Sequence, residues 1–287
     1  MSFCIVYLAS PRTSQIKETV GNDSSHPTRI SLLWGSYNIV RKTFPTTDVY
    51  IFHEDYTEEE FALFPDVTDF VRVDFSGFED VYSSSNRRPR GYLMMCRFFS
   101  GVMQAHPQLR KYSHYMRLDD DSYFTSPELT ESFVKANLLN HDYVYRSLFY
   151  DERDQQSLYQ FTMDFVKTVG FGQYVGKLQT FLRSRRFLRD DNTYTGLAPY
   201  NNFHIASQRL WQTPLVAQYI QAIESSAGIF KYGWMDANIH AMIVFVLAPL
   251  CGLFIHHEAS FGYRHNQHVS RLHTDAVEYN PNLPFGV

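Results

Sequence analysis

Short apolar runs alternate with amphipathic stretches through the first hundred residues. Residues 3–8 (Phe-Cys-Ile-Val-Tyr-Leu), 49–53 and 70–74 are each rich in β-branched and aromatic side chains and are bounded by polar or turn-forming residues, the signature of buried strands. Between the first two, Leu33, Tyr37, Val40 and Phe44 recur at spacings of four, three and four before Pro45. That spacing predicts a helix that begins near Thr28 or Arg29, buries one face and stops at the proline. Glu58-Glu59-Glu60 predicts a second, short helix. Strands alternating with helices predict a mainly parallel sheet covered by helices.

Further along, a basic loop at residues 87–92 leads into an apolar helix over 93–102, and residues 115–124 read as a strand that ends in acid. Ser126-Pro127-Glu128-Leu129 predicts a helix start, and residues 143–146 another strand. Residues 151–196 are the least regular part, with Arg183-Ser184-Arg185-Arg186 expected on a solvated helix surface. Residues 201–206 predict a strand and residues 214–226 a helix. Asp236 falls in the first turn of a helix ending near Leu247. The apolar run 241–255 is broken by Pro249 and Gly252 and falls short of the roughly 20 residues that span a bilayer, so it predicts a buried helix followed by a strand at 253–257. Beyond Leu272 apolar periodicity fades, which predicts a loose tail. The expected organisation is one domain: a nucleotide-binding half over 1–125, an acceptor and catalytic half over 126–270, and a tail over 271–287.

The chemistry centres on Tyr115-Met116-Arg117-Leu118-Asp119-Asp120-Asp121. In open α/β sheets ligands sit at the carboxyl ends of strands. Three adjacent carboxylates repel one another unless a hard cation such as Mn²⁺ or Mg²⁺ neutralises them. The first strand delivers Tyr7, Ala9, Ser10 and Arg12 to the same kind of place, which suits a nucleotide. Arg97 lies among bulky apolar residues and is expected to pair with the acidic site. The net charge of -4 gives no nucleic-acid footprint, and 20 Tyr and 24 Phe supply stacking surfaces as well as core. Cys4, Cys96 and Cys251 are odd in number and widely spaced, which argues for free thiols and a reducing compartment.

Four segments occur in an order that resembles the Kre2/Mnt1-type fungal α-1,2-mannosyltransferase family: residues 95–101 (Met-Cys-Arg-Phe-Phe-Ser-Gly), 115–121, 202–205 (Asn-Phe-His-Ile), and 228–240 with Phe261-Gly262-Tyr263-Arg264-His265. The resemblance implies a GT-A fold of the α/β class, a single domain with a mainly parallel mixed sheet. It also implies a divalent metal, usually Mn²⁺, a nucleotide-sugar donor, GDP-mannose in the family, and a glycan or glycoprotein acceptor. Carried over residue by residue, it assigns Asp119 and Asp121 to the metal and the donor's ribose and His265 to the metal; Asp120 and Tyr263 are further candidates for the donor site. Two positions depart from the family pattern. Asp120 stands where the family has proline, and His204 stands where it has a glutamate near the anomeric carbon. Imidazole is a poor stand-in for that carboxylate. Transfer is then expected either by a front-side route without an enzyme nucleophile or with a base, for which Asp236 is the candidate; its competing role is a helix N-cap.

The expected activity is metal-dependent glycosyl transfer to a glycan hydroxyl. UDP-sugar-dependent transfer with changed stereochemistry and a non-catalytic sugar-nucleotide-binding module are the alternatives. A metal phosphohydrolase would need a phosphate-cradling glycine loop, which the sequence lacks. Family members carry a Golgi anchor and stem; here Met1 is close to the first strand, which predicts a cytosolic enzyme, with virus-encoded glycosylation as one setting and the Golgi lumen only for a trimmed chain.

Overall fold

The computed structural model describes residues 1–10, 29–83, 88–151, 153 and 155–265. Arg12, part of the basic loop and the tail lie outside the described residues. Eleven strands are present among those described: β1 (Phe3–Leu8), β2 (Val49–His53), β3 (Asp69–Arg72), β4 (His114–Asp119), β5 (Ser122–Phe124), β6 (Tyr143–Tyr145), β7 (Leu148–Tyr150), β8 (Leu197–Pro199), β9 (Phe203–Ser207), β10 (Ile255–His257) and β11 (Tyr263–His265). Seven form one sheet in the order β10-β6-β9-β4-β1-β2-β3. All neighbours are parallel except β9, which runs antiparallel to both β4 and β6.

The two faces of this sheet carry separate cores. On one, helix α1 (Arg29–Thr43) lays Leu33, Tyr37 and Val40 against Ile5, Tyr7 and Ile51, and Phe44 completes the stripe. Each such side chain contributes about 1.5–3 kcal/mol on burial, which is why an i, i+4, i+7 pattern is enough to dock the helix. On the other face lie helix Arg90–Arg97, helix Pro214–Ser226 and helix Asp236–Ala241. The last continues through Met242–Leu247, and every residue of both stretches is buried. No helix among the described residues is long and apolar enough to cross a membrane.

Two local expectations change, and the mixed character of the sheet comes from one strand. Ser126-Pro127-Glu128-Leu129 does not open a helix; that start is at Glu131, where the Thr130 hydroxyl accepts from Phe133 N. Residues 151–196 contain helices Gln156–Val166 and Val175–Ser184, whose apolar residues Leu158, Val166, Leu178 and Leu182 reach the large core. Their charged flanks mask that periodicity. Finally, β9 inserts antiparallel between two strands that would otherwise be parallel neighbours, a tertiary choice that no local spacing encodes.

Candidate active site

Strand β4 ends at Asp119, Asp120 and Asp121 form the turn, and β5 returns from it. Strand β11 pairs antiparallel with β5 so that His265 stands opposite Ser122 and Tyr263 opposite Phe124. This short ribbon is what carries an imidazole from the far end of the chain to the aspartates. Its close approach requires Gly262, because a Cβ there would lie 2.5 Å from Thr125 Oγ1 and 2.9 Å from Ser126 Oγ.

Asp119, Asp121 and His265 each offer a ligand atom, all within 4.8 Å of one another. His265 Nε2 is 2.9 Å from Asp121 Oδ1 and 3.5 Å from Asp119 Oδ2, and its Nδ1 is 3.0 Å from the Tyr200 hydroxyl. A hydrogen bond on one ring nitrogen, here Nδ1, is the kind of outer contact that orients an imidazole whose other nitrogen is to ligate a metal. Burial opposes a charge on His265, but Asp119 and Asp121 outweigh it and push the imidazole up to about 11. Burial likewise tends to raise Asp119, yet Arg117 and His265 hold its carboxyl well below the usual range. Asp120 goes the other way. Burial and the adjacent Asp121 push it up to about 6 against the pull of Arg29.

Two arginines brace the turn from opposite sides. Arg29, the first residue of α1, places Nη1 2.9 Å from Asp120 Oδ1 and 2.8 Å from Asp121 Oδ2. Arg117 is fully buried, donates to Asp119 Oδ1 from Nε and Nη2 at 3.2 and 3.0 Å and to Asp236 Oδ2 from Nη1 at 2.8 Å, and lies 3.3 Å from the Phe99 ring centre. Alternation in β4 puts Arg117 and Asp119 on one face, so the guanidinium could have been found in the sequence two residues before the motif. Arg29, Tyr200 and Asn201 give no such signal; only the fold brings them in.

The residues expected at the site divide. Ser10 N donates to Asp120 Oδ2 at 3.3 Å, and Ala9 is buried at the end of β1 with its N–H bonded to Phe52 O. Tyr263 is half-buried beside the turn, its hydroxyl 2.7 Å from Ser122 Oγ and 3.1 Å from Asn202 O. Tyr7 is instead a core residue, fully buried with its hydroxyl on Ser36 Oγ. It points into the α1 layer because Ile5 and Tyr7 share that face. Arg97 does not pair with the aspartates. Its guanidinium grips Glu224 at 2.6–3.0 Å, and the two line an open cleft of about 430 Å³ with Gly101 and Ile220.

The two catalytic candidates are also placed differently from expectation. His204 has no solvent exposure; Nδ1 meets Asn201 O, Nε2 meets the Tyr115 hydroxyl and the ring stacks on Tyr143. Burial holds this imidazole well below its ordinary range, so it is a neutral core residue. Asp236 is not a helix cap, since Met235 holds that position and no side-chain cap bond forms. Its Oδ2 accepts from both Arg117 and Asn201, which makes it the buried counter-charge of the arginine.

An open mixed sheet with an acidic turn at the carboxyl end of its central strand and a histidine returned to it defines a GT-A glycosyltransferase fold. The chain matches the family profile described as glycolipid 2-alpha-mannosyltransferase over residues 58–282 and belongs to that family. It is 26% identical over 176 residues to O-glycoside alpha-1,2-mannosyltransferase omh1 of Schizosaccharomyces pombe, covering 61% of this chain and 43% of the relative. It is 27% identical over 205 residues to the glycolipid 2-alpha-mannosyltransferase of Saccharomyces cerevisiae, covering 67% and 42%. The chain thus spans less than half the length of these curated relatives. The fold is similar to core-mannan synthase A from Aspergillus fumigatus in its Mn/GDP form, at a TM-score of 0.68 and 16% identity over 93% of this chain and 75% of that one. It is also similar to the mannosyltransferase Ktr4p from S. cerevisiae in complex with GDP, at 0.66 and 19% over 92% and 71%.

Proposed function

We propose that this chain transfers mannose from GDP-mannose to a hydroxyl of a glycan acceptor with the help of a divalent cation. The observation that carries this reading is the convergence of Asp119, Asp121 and His265 at the end of the central strand. Two carboxylates and an imidazole form a donor set that fits Mn²⁺, and these three residues would hold it. Such a cation supplies charge stabilisation for a departing diphosphate.

The protein's own residues orient the site. Arg117 and Asp236 fix the Asp119 carboxylate, and Tyr200 fixes the His265 ring through Nδ1. Ser10 N and Arg29 fix Asp120 beside the ends of β1 and β4, the place at which a nucleotide is expected in an open sheet. Both ring nitrogens of His204 are engaged in the core, and Asp236 is held by Arg117 and Asn201 through Oδ2. The route that fits is therefore front-side transfer: the bond from C1 to the phosphate oxygen breaks, the bond from C1 to the acceptor oxygen forms on the same face, and the acceptor proton passes to the departing phosphate oxygen.

A donor panel of GDP-mannose, UDP-glucose, UDP-galactose and UDP-xylose, assayed for nucleoside diphosphate release with Mn²⁺ and with chelator, tests this. GDP-mannose alone should turn over, and only with Mn²⁺. Asp121→Ala should lower that rate by about 10²-fold or more, because a metal supplies several kcal/mol of transition-state stabilisation. Release from a UDP-sugar in place of GDP-mannose would refute the donor, and full turnover in chelator would refute the metal.

A further inference from the structure

One buried polar side chain at the site is left unused by these ion pairs. Asn202 is 4% exposed, and neither its amide nitrogen nor its amide oxygen has a hydrogen-bond partner among the described residues. Its backbone, by contrast, is firmly held, with the carbonyl accepting from Asp119 N at 3.1 Å, Ser122 Oγ at 3.3 Å and the Tyr263 hydroxyl at 3.1 Å. Leu118 pairs with Phe203 across the ladder, and both belong to the core on the α1 side of the sheet. Asn202 lies in the turn just before β9, and the bond from Asp119 N to its carbonyl continues that ladder by one position, which sets Asn202 opposite Asp119.

Burying an amide with both ends unpaired is costly, and such groups are rare in native folds. The preceding Asn201 shows the ordinary solution, donating to Asp236 at 3.0 Å. A carboxamide presents donors on one side and an acceptor on the other. A diphosphate offers acceptors only and would leave the amide oxygen unsatisfied, whereas a sugar hydroxyl both donates and accepts. We propose that Asn202 reads a hydroxyl of the transferred sugar and is a specificity-determining contact next to Asp119. This inference rests on the glycosyltransferase reading above.

The test measures binding, using calorimetry on the full chain with Mn²⁺ and two probes, GDP and GDP-mannose. In Asn202→Leu the affinity for GDP should stay within about twofold of wild type. The ratio of GDP-mannose affinity to GDP affinity should fall about tenfold, the loss of ~1.4 kcal/mol of sugar recognition. Melting temperature should hold or rise, because an apolar group replaces an unpaired amide. Asn202→Ser, too short to reach the same hydroxyl, should show the same fall and serves where leucine packs poorly. A ratio unchanged in the folded variants overturns the role of Asn202 alone. A wild-type chain that binds neither probe overturns the functional reading, and this inference with it.

Discussion

The two arginines that flank the acidic turn do the same electrostatic job in opposite settings. Arg117 is 2% exposed, is saturated by Asp119, Asp236 and the face of Phe99, and rests on a layer of neutral buried histidines, His204 and His240. Arg29 is 30% exposed and contacts Asp120 and Asp121 through one nitrogen. Desolvating a charge is tolerated only where its partners are fixed. The closed side therefore builds the site, while the open side leaves room for exchange of its charge partners.

Breaking the closed side should give the largest effect. Arg117→Met strands Asp236 as a buried charge without its arginine and takes two hydrogen bonds from the part-exposed Asp119, and loss of one member of a buried pair costs about 3–5 kcal/mol. Urea denaturation should show that drop; a loss under about 1 kcal/mol would mean that the two aspartates find other partners and that the closed side is not what holds the turn.

The histidine layer sharpens the same point through pH. Burial lowers His240 from 6.5 to about 4, with Nδ1 on the Tyr143 hydroxyl and Nε2 on Phe99 O. Above pH 6.5 the ring is neutral in both folded and unfolded chains. As pH falls from 6.5 to about 4, the unfolded chain takes up a proton that the folded one does not, so stability falls by up to ~1.4 kcal/mol per pH unit for this group. In His240→Gln the decline over that interval should be shallower. An identical slope would place the titration elsewhere.

The smallest effect belongs to the open side. Arg29→Met should cost less than Arg117→Met in the same denaturation experiment, because the Arg29 guanidinium is part-exposed and screened by solvent even though Asp120 and Asp121 are buried. A loss as large as that of Arg117→Met would erase the contrast between the two sides.

Much of this molecule could be read along the chain. The stripe Leu33, Tyr37, Val40 and Phe44, the strand runs at residues 3–8 and 49–53, and the acidic turn all follow from local period and composition, since apolar burial acts on spacing. Arg117 was within reach of the same logic, two residues from Asp119 on one face of a strand. Arg97 and Tyr7 misled because sequence shows that a cation or a phenol is near a motif but not which way it points. Arg97 turned to Glu224, which lies on helix Pro214–Ser226, and Tyr7 turned into the α1 layer.

Local spacing determined which residues form strands and helices, which faces are apolar and where negative charge accumulates. The tertiary structure alone decided that His265 meets Asp119 and Asp121, that His204 is sealed in the core, and that Asp236 neutralises Arg117. Those outcomes depend on contacts between segments distant in the chain, and the register of β5 with β11 and the antiparallel insertion of β9 are fixed by the packing of the whole sheet rather than by any stretch of it.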